Sequence, residues 1–119
     1  MNDEALAPVF RVADTDAAVA WYQRLGFVAS YEHASGPAFS RTTIALSRGE
    51  LVLILSNLEE DAHSSGLVYL RVSDPEAIAE EFGIEVNETP VAWHFELTDL
   101  DGNRLRIGKP KLTKRGRPA

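Results

Sequence analysis

The chain has 119 residues, 45% of them hydrophobic and 25% charged, which suits one soluble domain with enough apolar side chains for a core. It has no cysteine, which excludes disulfides, thiolate nucleophiles and Cys-type zinc sites. Its net charge of −6 is uneven: Lys109, Lys111, Lys114, Arg115 and Arg117 crowd the end of the chain, so the body 1–108 sets 7 arginines against 18 acids, or −11.

An acidic body disfavours nucleic acid and favours a cationic ligand, or it serves solubility alone. No apolar run reaches the roughly 18 residues of a membrane span. Asp3 and Glu4 stand where a secretory leader would carry positive charge, so the expected location is the cytoplasm, with no membrane partner.

In chain order, Ala7–Val12 reads as a strand. Asp14 is suited to cap a helix whose stripe is Ala17, Ala18, Trp21, Tyr22 and Leu25, and Gly26 stops it. Trp21 fits core packing on that stripe better than ligand stacking. Phe27–Glu32 predicts a second strand and Phe39–Leu46 a third. The turn Ser47-Arg48-Gly49-Glu50 leads into Leu51–Leu55, apolar enough for a strand buried on both faces. Residues 57–65 are polar and acidic, a linker in which His63 is solvated.

Leu67–Val72 starts again as a strand. Asp74-Pro75 is a strong helix start, Ile78, Ala79 and Phe82 face inward, and Gly83 ends the helix. A short strand at Ile84–Val86 follows, then one at Val91–Thr98 with Phe95 and Leu97 on one face and His94, Glu96 and Thr98 on the other. The run Asp99-Leu100-Asp101-Gly102-Asn103 is dense turn chemistry. Arg104–Ile107 alternates as the last strand, and 109–119 reads as a disordered basic tail.

The two halves repeat. Arg11-Val12-Ala13-Asp14 returns as Arg71-Val72-Ser73-Asp74, each preceded by a strand and followed by a helix. The predicted fold is α+β: two βαβββ units, about 6–57 and 66–108, forming one curved mixed sheet. Helices cover its convex face and the concave face is left open as a cleft.

The segments Ala20-Trp21-Tyr22-Gln23-Arg24-Leu25-Gly26-Phe27 and Phe95-Glu96-Leu97-Thr98-Asp99-Leu100-Asp101-Gly102-Asn103, set in two βαβββ halves, resemble the vicinal oxygen chelate superfamily. This is the glyoxalase and bleomycin-resistance group. Leu100 stands where the family pattern has proline. The resemblance covers residues 6–108 and implies the fold more strongly than an activity. It places metal ligands at Ala7 and Leu67 on the first strands, and at about Leu53 and Arg106 on the last strands. None of these side chains is a usable ligand. What is implied is the metal-free, drug-sequestering branch: no cofactor, no catalytic residue, and a small-molecule ligand in the cleft of a homodimer. The alternative is a lyase, isomerase or dioxygenase with a divergent metal site.

Strand alternation then puts Val9, Arg11, Tyr69, Arg71, His94, Glu96, Thr98, Arg104 and Arg106 on the cleft side, with Leu51, Leu53 and Leu55 as an apolar wall. The ligand-binding candidates are Trp93, His94, Glu96, Arg106, Tyr69, Phe39 and Leu53. Glu96 and Arg106 either contact ligand or neutralise each other. His94 and Glu96 form an His-x-Glu pair, open to a base with its orienting acid or to two ligands of a relocated metal. Two ligands leave a divalent ion short of a shell. His33 offers no evident third ligand. Trp93 either stacks on a ligand or packs at the dimer interface or an edge. Tyr31 is a further aromatic candidate.

Overall fold

The computed structural model describes residues 6–33, 43–58 and 66–111, with the backbone alone for 30–33. The chain divides into two compact units. The first runs to Gly66 and takes in Asp99–Asn103; the second comprises Leu67–Thr98 and the chain from Arg104 onward.

The first unit contains β1 (Val9–Arg11), α1 (Thr15–Arg24), β2 (Val28–His33), β3 (Thr43–Arg48) and β4 (Leu51–Ser56). Its sheet has the order β1-β4-β3-β2, with β1 parallel to β4 and the other pairs antiparallel. Asp14 caps α1, its carboxylate accepting from the N–H groups of Asp16 at 3.0 Å and Ala17 at 3.2 Å. Thr15, Ala18 and Tyr22 form the buried face of α1. Leu25 and Phe27 are buried just beyond it, and Trp21 is half-buried, its ring edge-on to Tyr22 at 4.8 Å. Gly26, at φ +95°, turns the chain from α1 into β2. A Cβ there would collide with the Arg48 guanidinium, which donates to Leu25 O at 2.9 Å and so closes the end of the helix.

The apolar side of this sheet is Phe10, Ile44, Leu46, Leu53 and Leu55, all buried. This corrects the expectation that Leu53 and Leu55 line an open face. Leu46 pairs with Leu53 and Ile44 with Leu55, so both leucines belong to the core, while Val52 and Ile54 have the opposite parity. The run Leu51–Leu55 is apolar at every position, so its pattern could not reveal which parity faces inward.

The second unit repeats the order: β5 (Leu67–Arg71), α2 (Pro75–Phe82), β6 (Asn87–Glu88), β7 (Ala92–Thr98) and β8 (Arg104–Pro110). Its sheet is β5-β8-β7-β6, again with one parallel pair, β5 and β8. Both units thus realise the predicted βαβββ order as four-stranded mixed sheets, each with one helix. Pro75 opens α2 behind an Asp74 cap, and Gly83 ends it in the left-handed conformation at φ +68°. The N–H of Ile84 bonds back to Ala79 O at 2.9 Å. The chain is therefore still tied to the helix where a strand is expected at Ile84–Val86, and pairing begins only at Asn87. The last strand is longer than expected. Lys109 pairs with Trp93 and Pro110 with Ala92, so neither belongs to a tail; residues 112–119 lie outside the described residues.

The turn Asp99–Asn103 is a buried polar knot. Asp99 accepts from the N–H groups of Asp101 at 2.8 Å and Asn103 at 2.9 Å, from Asn103 Nδ2 at 2.9 Å, and from the Tyr22 hydroxyl at 2.7 Å. Asn103 Nδ2 also donates to Arg11 O at 3.1 Å, and Asp101 accepts from Ala13 N at 3.0 Å. Burial first, and the Asp99 hydrogen bond second, push the Tyr22 phenol well above its ordinary pKa, so Tyr22 stays a donor. The resemblance motif is thus spent on holding the fold together. Among the described residues, no helix is long and apolar enough to cross a membrane.

Candidate functional site: the open face of the second sheet

Period-two alternation divides the second sheet. Leu70, Phe95, Leu97, Leu105 and Ile107 are buried on the side packed by α2. The opposite side carries Leu67, Tyr69 and Arg71 from β5, Arg104, Arg106 and Gly108 from β8, and Thr98, Glu96 and His94 from β7. Register makes these residues neighbours: Tyr69 lies opposite Arg106, which lies opposite Glu96, and His94 lies between Gly108 and Asn87. A depression of about 440 Å³ opens here, lined by Tyr69, Asn87, Ala92, His94, Phe95, Glu96 and Arg106.

Glu96 and Arg106 are in register, as the alternation implies, but the short bonds of Glu96 go diagonally to Arg104. Arg104 Nε donates to one carboxylate oxygen at 2.7 Å and its terminal nitrogen to the other at 3.3 Å; Arg106 reaches that second oxygen at 3.4 Å. The three side chains are between a third and a half exposed. The Arg104 hydrogen bond holds the Glu96 carboxyl below the usual range, with the Arg106 contact adding to it, and Glu96 in turn raises Arg104. Both oxygens of the one acid on this face are therefore occupied, mostly by Arg104, while most of the Arg106 donors point elsewhere. The pair expected between Glu96 and Arg106 is a triad, and it is exposed rather than buried.

Tyr69 is 52% exposed, a large aromatic left open to solvent. Gly108 makes room for it: a Cβ at that position would come within 2.8 Å of the Tyr69 hydroxyl, 3.0 Å of its ring and 3.2 Å of Trp93 O.

The structure brings Tyr69, His94, Glu96 and Arg106 together and parts two other candidates, Trp93 and Leu53, from them. Trp93 has the parity of Phe95 and Leu97 and so stands on the other side of β7 from His94. Half-buried there, it lies 5.0 Å beneath the Lys111 ammonium, which pairs with Glu88 at 2.7 Å. Leu53 is core in the first unit. Phe39 and His63 lie outside the described residues, and Tyr31 and His33 are described by backbone alone. Asn87 and Gly108 escaped the sequence reading. Asn87 enters because pairing starts later than its composition suggests, and a glycine signals nothing about the ring laid over it.

The family's metal pattern does not fit this chain. Val9 pairs with Ile54 as Tyr69 pairs with Arg106, so Ile54, not Leu53, is the counterpart of Arg106. Ala7, Ile54 and Leu67 offer no donor atom in their side chains, and Arg106 is a cation. Among the described residues, no group of three or more His, Asp or Glu is placed to hold a metal.

No family model and no curated protein matches the chain. Solved structures do. TioX from Micromonospora sp. ML1 superposes with a TM-score of 0.74 at 19% identity, over 89% of this chain and 98% of its own. The bleomycin-binding protein from bleomycin-producing Streptomyces verticillus, complexed with copper(II)-bleomycin, gives 0.66 at 22% identity, over 93% and 99%. A lactoylglutathione lyase from Agrobacterium tumefaciens gives 0.67 at 16%, over 92% and 95%. The fold of this chain is that of the bleomycin-binding and glyoxalase-like proteins.

Proposed function

We propose that the chain binds a small molecule on the open face of its second sheet and sequesters it without chemical change, as a cytoplasmic homodimer. The observation that carries this reading is the depression of about 440 Å³ in which an exposed aromatic ring, Tyr69, stands among the polar side chains of Asn87, His94 and Arg106. An apolar platform with a few polar groups is the usual make-up of a small-molecule site. The Streptomyces verticillus relative, which shares the fold, is described with a small molecule bound. Leu67, 44% exposed on the edge strand β5, gives apolar surface that a second copy would cover. The lyase neighbour supports an enzyme as the second reading, one that would need a divergent metal site. The absence of donor side chains at Ala7, Ile54 and Leu67 weighs against it.

The test is a thermal-shift screen of purified protein, with elemental analysis and light scattering on the same sample. A ligand at about 100 times its Kd should stabilise the folded state by about 2.7 kcal/mol. The reading expects a dimer that responds to small molecules with no added metal. A stoichiometric metal ligated by His94, or turnover of a hit compound, would overturn it in favour of the enzyme.

A further inference from the structure

The acidic balance of the whole body points to a cationic ligand, but the local balance on the open face runs the other way. Arg71, Arg104 and Arg106 share that face with one acid, Glu96. Both oxygens of that acid are engaged by Arg104, at 2.7 and 3.3 Å. What remains for a ligand is a set of donors. Arg106 keeps most of its N–H groups, since its one contact to Glu96 is at 3.4 Å. Asn87 contributes an amide, Tyr69 a hydroxyl and His94 a ring nitrogen, all around one depression. Arg71, exposed and diagonal to Arg106 in the register of the parallel pair, adds a second positive charge to the face, outside the depression itself.

We infer that the ligand of this face carries an oxyanion, a carboxylate or a phosphate, joined to a flat apolar body. Arg106 takes the anion and the Tyr69 ring takes the body. The inference rests on the binding reading above and narrows it to a class of ligand. Geometry supports each half. A guanidinium presents paired donors that match a carboxylate or phosphate edge. Tyr69 stands directly opposite Arg106 in the parallel register, so one ligand of modest size reaches both. Glu96 acts as a positioning residue: it fixes Arg104 and restrains Arg106 without satisfying it.

The experiment titrates the full chain with four probes of one shape: naphthoate, naphthyl phosphate, naphthamide and naphthylmethylammonium. One of the two anions should bind about tenfold or more tighter than neutral naphthamide, the scale of a hydrogen bond to a charged group. Which anion prevails separates carboxylate from phosphate ligands. The advantage should shrink with added salt, because the site is exposed. In Arg106→Gln it should vanish, the anions then binding no tighter than naphthamide. That variant leaves the Arg104–Glu96 pair in place, and an unchanged melting temperature reports its folding. Tyr69→Ala should weaken all probes that bind. Equal binding of anion and amide, or an anion advantage that survives Arg106→Gln, overturns the inference. If the ammonium probe wins and still depends on Tyr69, the anion assignment fails and the binding reading stands. If no probe binds and Tyr69→Ala alters nothing, both fail.

Discussion

Replacing Tyr22 with Phe removes one oxygen from the best-defined buried network in the first unit. Tyr22 is fully buried, and its hydroxyl donates to Asp99 Oδ2 at 2.7 Å. Asp99 is only 7% exposed and its carboxylate accepts four hydrogen bonds, two from backbone N–H groups and two from side chains. Loss of the hydroxyl leaves its shape and ring contacts intact, including the edge-on approach to Phe27 at 6.1 Å. The cost is therefore that of one hydrogen bond to a buried carboxylate, about 1.5–3 kcal/mol. Urea denaturation should show it as a lower midpoint at constant slope. The sign with pH follows from the raised phenol. A proton held more tightly in the folded state gives stability that is complete below the unfolded tyrosine pKa, about 10, and is lost as pH rises above it. Tyr22→Phe should abolish that alkaline loss. A stability change below about 0.5 kcal/mol, the size of an ordinary surface substitution, would refute the role given to Tyr22.

Leu53→Ala should destabilise the protein by about 2–5 kcal/mol in the same urea assay, because the side chain is fully buried, and ligand affinity should not change. Gly108→Ala should do the reverse. Its Cβ drives the Tyr69 ring off its seat, so calorimetric titration should show weaker binding while far-UV circular dichroism stays as in the parent. Glu96 should titrate below an ordinary glutamate when its carboxyl carbon is followed by NMR. Its folded-state pKa is depressed, so the triad's contribution is present above the unfolded glutamate pKa and is lost as pH falls through the lower folded value. In Arg104→Gln the titration should move back toward the ordinary range, Arg104 being the largest cause of the shift.

Much of this molecule is legible in its residues. The Asp14 and Asp74-Pro75 caps, the stops at Gly26 and Gly83, and the clean alternation of Phe95 to Thr98 and Arg104 to Ile107 each have a local physical cause, and each element formed. The open face of the second sheet was readable for the same reason: polar and apolar residues alternate there, so parity shows. The first sheet hid its parity because β4 is apolar from Leu51 to Leu55, and Leu53 was assigned to the wrong side. Trp93 shows a different gap. Its aromatic character suggested a ligand contact, yet its odd position on β7 puts it with Phe95, and only the register settles such a conflict. The diagonal reach of Arg104 to Glu96 depends on side-chain rotamers, which no pattern of residue types encodes.

The central claim is that ligand sits on the open face of the second sheet. It is tested most directly by amide chemical-shift mapping with the tightest compound from the thermal-shift screen. The account predicts that the largest shifts fall on Tyr69, Asn87, His94 and Arg106, and that Arg106→Gln and Tyr69→Ala remove them. Shifts centred instead on the first unit, or on the hollow beside α2 lined by Asp74, Glu76 and Glu80, would contradict it.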